Sequence, residues 1–271
     1  MNDTNAPALD TEPKENKGKA EHPYGSPDLI PSAKLLFDGS GSEEEFVAVG
    51  EGFTREYIIN RAKLLPSERV LDLGSGNGQK ARVLAGYMNE KGSYEGLDIV
   101  RTGIEWCQKA YARYPNFKFS LAENLYNSHY TPKGSIRADQ YELPYNDEEF
   151  DLVFCASLFT HLLPHETQNY VSQISRVLTP EGRLVMTAFL LNSDTTGTAD
   201  KGTIKFPVER DGYRIAKAND PSWAVALPES FVRETLETRG LRICEITYGF
   251  WAGGRDLLCA LQDCVIAVKK P

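Results

Sequence analysis

The residues able to do chemistry gather around Val70-Leu71-Asp72-Leu73-Gly74-Ser75-Gly76-Asn77-Gly78. An apolar run breaks into a glycine-rich turn, and Gln79 to Tyr87 follows with a composition suited to a helix. A strand, a glycine turn and a helix start in that order let backbone approach a ligand closely and leave N–H groups unpaired. The spacing departs from the G-x-G-x-x-G of a pyrophosphate cradle. An acid, Asp72, stands two residues before the first glycine, where it would repel a pyrophosphate and favour a cation. Asp98 closes the next strand-like stretch, Ser93 to Val100, about 20 residues on, where a carboxylate can accept bonds from both hydroxyls of a ribose. His161, just after a third apolar run, titrates near neutral pH and is the best general-base candidate. His129 and His165 are weaker ones. No Asp/Glu/His cluster has metal-ligand spacing, so no metal is expected.

The order acid-x-Gly-x-Gly-x-Gly resembles the first motif of class I S-adenosylmethionine-dependent methyltransferases. Their cofactor carries an ammonium and a sulfonium and no phosphate, as the Asp72 reading asks. The resemblance extends over roughly residues 35 to 271. Asp139, in Arg137-Ala138-Asp139-Gln140 and followed by Leu143-Pro144-Tyr145, falls where the family holds the adenine amino group, with Ala138 and Gln140 supplying backbone contacts. Cys155, Ala156 and Ser157 match the segment that passes under the cofactor. The resemblance therefore implies S-adenosylmethionine held by Asp72, Gly74, Ser75, Gly76, Asp98, Ile99, Ala138, Asp139, Gln140, Cys155, Ala156 and Ser157. Phe46 to Tyr57 would line the pocket from the element preceding the first strand. The tail around Tyr248-Gly249-Phe250-Trp251-Ala252-Gly253, with Arg255 and Gln262-Asp263, resembles a bacterial subgroup often found alongside glycosyltransferases. That makes O-methylation of a small-molecule, saccharide or glycolipid acceptor the leading expectation. A nicotinamide-dependent oxidoreductase on a similar sheet is the runner-up, against which Asp72 and the glycine spacing count. A non-catalytic protein that keeps the cofactor pocket is the third reading.

These residues need a scaffold. Apolar runs alternating with helix-compatible stretches predict an α/β, Rossmann-like, seven-stranded and mostly parallel sheet with helices on both faces and an antiparallel last strand. Residues 1–28 are polar and charged and are expected to be a disordered tail before a methyltransferase domain over 29–271. Ser42-Glu43-Glu44-Glu45 reads as a capping box, with Gly50 and Gly52 interrupting any long helix behind it. Two stretches break the plan. Residues 122–137 look like an inserted substrate loop, and 191–227 like a long irregular lid in which Tyr213 and Trp223 could stack on a substrate.

Of 271 residues, 41% are hydrophobic and 25% charged, the balance of a globular protein. The net charge of −8 and a pI near 5.2 argue against nucleic acid as a partner. No apolar run is long enough to span a bilayer, and the N-terminus lacks the apolar core of a secretory signal. Five scattered cysteines, Cys107, Cys155, Cys244, Cys259 and Cys264, read as reduced thiols of a cytoplasmic protein.

Overall fold

The structure, a computed structural model, describes residues 25–37, 40–253 and 261–271. The expected polar tail up to residue 24, and Arg255, Asp256 and Cys259, lie outside the described residues.

The central strand is β1 (Arg69–Leu73), buried from Val70 onward. It pairs in parallel with β2 (Ser93–Asp98) on one side and β4 (Phe150–Cys155) on the other. A strand covered on both faces needs an unbroken apolar run, which is why Val70-Leu71 and Leu73 carry no polar alternation. β3 (Phe117–Leu121) extends the sheet beyond β2, and β5 (Leu178–Leu191) extends it beyond β4. β10 (Asp263–Lys269) runs antiparallel on β5, and β9 (Leu241–Thr247) runs antiparallel on β10. These seven strands form the expected platform. Its order reverses between β1 and β4, the point at which open α/β sheets leave a crevice at their carboxyl ends.

Alternate strand residues feed two cores. Leu71, Leu73, Val153 and Cys155 face α4 (Pro164–Val177) and α5 (Glu229–Thr238). Val70, Leu152 and Phe154 face the other way, toward α2 (Gln79–Tyr87), α3 (Arg101–Ala110) and the helix before β1.

Two expectations need correction. Among the described residues the sheet has ten strands, not seven. The stretch expected to be irregular supplies β6 (Val208–Arg210) and β7 (Tyr213–Ile215) as an antiparallel hairpin, and β8 (Val225–Pro228) lies parallel to the end of β5. The hairpin turns on Asp211-Gly212, with Gly212 at φ +85°, a two-residue signal present in the sequence. Phe206, Ala224 and Ala226 pack with Phe189 and Trp251 in a third core, so the stretch buries its own apolar residues.

The second correction concerns the first helix. It runs unbroken through Gly50 and Gly52 as α1 (Glu43–Phe53) and continues with π-helical geometry over Thr54–Arg61. Gly50 is there because a Cβ would stand 2.6 Å from the Gln79 carbonyl oxygen, so α1 and α2 approach closely. Ser42 does cap this helix: its Oγ accepts from the Glu45 N–H at 3.1 Å. Glu45 returns its bond to the Gly41 N–H rather than to Ser42.

Candidate active site

A cavity of about 340 Å³ opens at the carboxyl ends of β1, β2 and β4. Leu73 ends β1 on its wall, and Gly74, Ser75 and Gly76 continue the lining. Gly74 and Gly76 hold φ of +83° and +57°, a left-handed backbone that side-chain-bearing residues rarely take. The turn is tied to β2 by the Gly74 N–H, which donates to the Leu97 carbonyl at 2.8 Å.

Asp98, at the end of β2, lines the same wall. Its carboxylate accepts the N–H of Gly76 at 2.8 Å and that of Val100 at 2.7 Å. These bonds aim the side chain and leave lone pairs for a ligand. Burial raises its pKa above the usual carboxylate range, while the backbone bonds oppose that. Ile99, Ala138, Ala156 and Ser157 also line the cavity. Ser157 sits at φ +67°, its N–H donating to Thr187 Oγ1 at 2.7 Å. The buried Ser75 Oγ has no hydrogen-bond partner. A glycine turn that lets a ligand approach the backbone and an anchored carboxylate able to accept two hydroxyls fit the ribose of a nucleoside.

Four of the expected cofactor residues are not on this wall. Asp72 is 1% exposed, and its carboxyl accepts the Tyr94 hydroxyl at 2.6 Å. Burial pushes its pKa up to about 7, so it is no fixed surface anion beside the ligand. Asp139 is held by Arg137 through two bonds, of 2.8 and 2.6 Å, and does not line the cavity. The Arg137 guanidinium keeps its pKa below the ordinary value. Gln140 is exposed beside it. Cys155 is fully buried beneath the wall, in the core that packs on α4. Phe46, Phe53 and Tyr57 are core residues as well, since α1 and its π-helical extension pack on α2 rather than over the cavity.

The remaining wall comes from distant segments. His161, in a single 3-10 turn after β4, lines the cavity, and its Nδ1 lies 2.8 Å from the Ser222 carbonyl oxygen. A carbonyl only accepts, so Nδ1 carries the proton and Nε2 keeps its lone pair. Burial lowers the His161 pKa and holds the imidazole neutral. His129 lines the cavity too, its Nδ1 2.8 Å from Asp220 Oδ2. The two imidazoles are parallel within 7°, with centroids 6.4 Å apart. Tyr130 meets both edge-on, at 4.7 and 5.2 Å. Trp223 lines the cavity with Lys217 Nζ 4.0 Å from its ring centroid. Of the other candidates, Tyr213 packs against the core and His165 is an exposed residue 3.9 Å from Asp139.

Sequence reasoning missed Phe37, Gln79, Phe189 and Leu261, all on the wall; Tyr126 lies in the expected substrate loop and Gln262 in the tail it singled out. Gln79 carried a signal, as the first residue of the helix behind the glycine turn. The others come from segments that only the fold brings together.

Residues 71–186 match the family described as "Methyltransferase domain". A phthiotriol/phenolphthiotriol dimycocerosates methyltransferase 1 of Mycobacterium ulcerans is 32% identical over 123 residues, 45% of this chain and 38% of that protein. A 27-O-demethylrifamycin SV methyltransferase of Amycolatopsis mediterranei is 28% identical over 159 residues, 57% of this chain and 52% of that protein. The chain thus matches about half or less of the length of these relatives. In fold it is similar to an S-adenosylmethionine-dependent methyltransferase of Methanosarcina mazei, with a TM-score of 0.55 at 20% identity, covering 79% of this chain and 98% of that one.

Proposed function

We propose, from the premise that this chain is built on a class I S-adenosylmethionine-dependent methyltransferase domain, that it methylates a hydroxyl of a small-molecule or saccharide acceptor. The observation carrying this reading is a single cavity lined both by the Gly74–Gly76 turn with Asp98 and by a neutral, oriented His161. Asp98 would hold the ribose hydroxyls, and Gly74, Ser75 and Gly76 the remainder of the cofactor, with Ile99, Ala138, Ala156 and Ser157 around it. When bound, the cofactor supplies a methyl group on a positively charged sulfur. His161 takes the acceptor's hydroxyl proton on Nε2. The deprotonated oxygen would then be the nucleophile toward the methyl group the cofactor would supply; its sulfur would depart neutral, so the chain would need no acid, and its main tasks are alignment and exclusion of water. Residues 122–137 and 191–227 serve as acceptor loop and lid within one domain over 29–271. The relative named for 27-O-demethylrifamycin supports an oxygen acceptor.

Two measurements test the reading. Calorimetry should give binding heat with S-adenosylmethionine and none with NAD; the reverse would restore the oxidoreductase. Transfer of labelled methyl to extracted cell material should fall by about 100-fold or more in His161→Asn. Cofactor binding without any transfer would leave a binding protein instead.

Among the described residues no helix is long and apolar enough to cross a membrane.

A further inference from the structure

The acceptor side of the cavity is aromatic, and several of its polar side chains are engaged with backbone or with one another. Asn127 Oδ1 accepts the N–H groups of His129 and Tyr130, each at 3.0 Å. Gln262 Oε1 accepts the Thr187 hydroxyl at 2.5 Å, and its amide donates to Ser157 Oγ at 3.0 Å. Thr160 Oγ1 donates to the Ser157 carbonyl at 2.7 Å. Asp220 accepts from Ser128 Oγ at 2.7 Å and faces His129 Nδ1. A saccharide offers hydroxyls all round its ring and needs polar side chains to meet them; here Asn127, Ser157, Thr160 and Gln262 on the wall are already bonded to protein groups. What faces the cavity instead is ring surface, from Tyr130, Trp223 and the parallel pair His129 and His161. His161 has its Nδ1 engaged by the Ser222 carbonyl, which leaves its Nε2 to accept one hydroxyl proton.

We propose that the acceptor is a flat hydroxylated aromatic of the phenol or naphthol class, its ring lying against Trp223 and His129 and its hydroxyl donating to His161 Nε2. This narrows the methyl-transfer reading and rests on it. Flat rings gain most from a wall of flat rings, by offset and edge contacts. The proton chemistry agrees. A phenol ionises near pH 10, far below water at about 15.7, so a neutral imidazole is much better matched to a phenolic proton than to an aliphatic one.

The test uses 2-naphthol, n-octanol and methyl β-glucoside as probes, titrated by calorimetry into the full chain with and without S-adenosylhomocysteine. 2-Naphthol should bind with a Kd on the order of 100 µM, octanol at least about ten-fold more weakly, and the glucoside without measurable heat. Trp223→Ala should weaken 2-naphthol by about ten-fold, while Trp223→Phe, which keeps a ring, should stay within about three-fold. S-adenosylhomocysteine affinity should not move in either variant. Glucoside binding tighter than naphthol, octanol binding as tight, or no naphthol heat in either form would overturn the acceptor class. Naphthol affinity unchanged in Trp223→Ala would place the ring elsewhere and overturn the site. Failure of S-adenosylhomocysteine to bind would instead sink the methyl-transfer reading, and the titration without it would still decide the acceptor class.

Discussion

At the scale of single residues, side-chain partners decide function as much as residue type does. Asp72 and Asp98 are both carboxylates at strand ends. Tyr94 and burial withdraw the first from the cavity, whereas the Gly76 and Val100 N–H groups aim the second into its wall. Asp98→Ala should therefore weaken S-adenosylmethionine binding by about 1–3 kcal/mol with the fold intact; calorimetry showing unchanged affinity would refute the ribose role. His161 gives a pH prediction. A base must be neutral to act, and burial lowers its pKa. The acid limb of kcat/KM should consequently fall below the ordinary histidine value of about 6.5, since protonation is postponed to lower pH. A limb at or above that value, or one that survives in His161→Asn, would assign the base elsewhere.

At the scale of elements, close approach and turn chemistry explain where composition misleads. Glycines at 50 and 52 look like helix breakers, yet α1 passes through both because the approach to α2 excludes a Cβ at position 50. Gly50→Val should cost about 1–3 kcal/mol through overpacking against Gln79, read as a lower urea midpoint; an unshifted midpoint would show that the two helices can part freely. The stretch 191–227 looks irregular because its strands are three or four residues long, below the length at which alternation can be recognised. The Asp211-Gly212 turn was the legible part. β8 was not, because its pairing partner is the far end of β5.

At the scale of the whole molecule, two buried carboxyls couple stability to pH. Burial raises Asp72 to about 7 and Asp263 to about 6. Asp263 accepts the Leu190 and Gly249 N–H groups, each at 2.7 Å, and Trp251 Nε1 at 2.8 Å, yet burial outweighs these bonds. In both cases the folded chain holds its proton to higher pH than the unfolded chain, whose aspartates titrate near 3.9. The folded state then binds more protons, so stability from these groups is complete below about pH 4 and is lost as pH rises toward 7. Urea midpoints of Asp72→Asn should show a flatter decline between about pH 5 and 7 than the parent chain. Equal slopes in the two proteins would remove Asp72 as the cause.

The chain order of its apolar runs, glycine turn and strand-end acid was enough to determine the parallel platform and to bring Gly74, Ser75, Gly76, Asp98 and His161 around one cavity, while the cofactor class came from the family resemblance those residues carry. Those features are local: a strand end and the turn after it face the same crevice wherever such a sheet forms. Tertiary structure alone decided that Asp72 and Cys155 sink beneath the wall, and that His129, His161 and Trp223 meet around one space. Side-chain direction depends on partners far along the chain. Linear spacing carries no record of them.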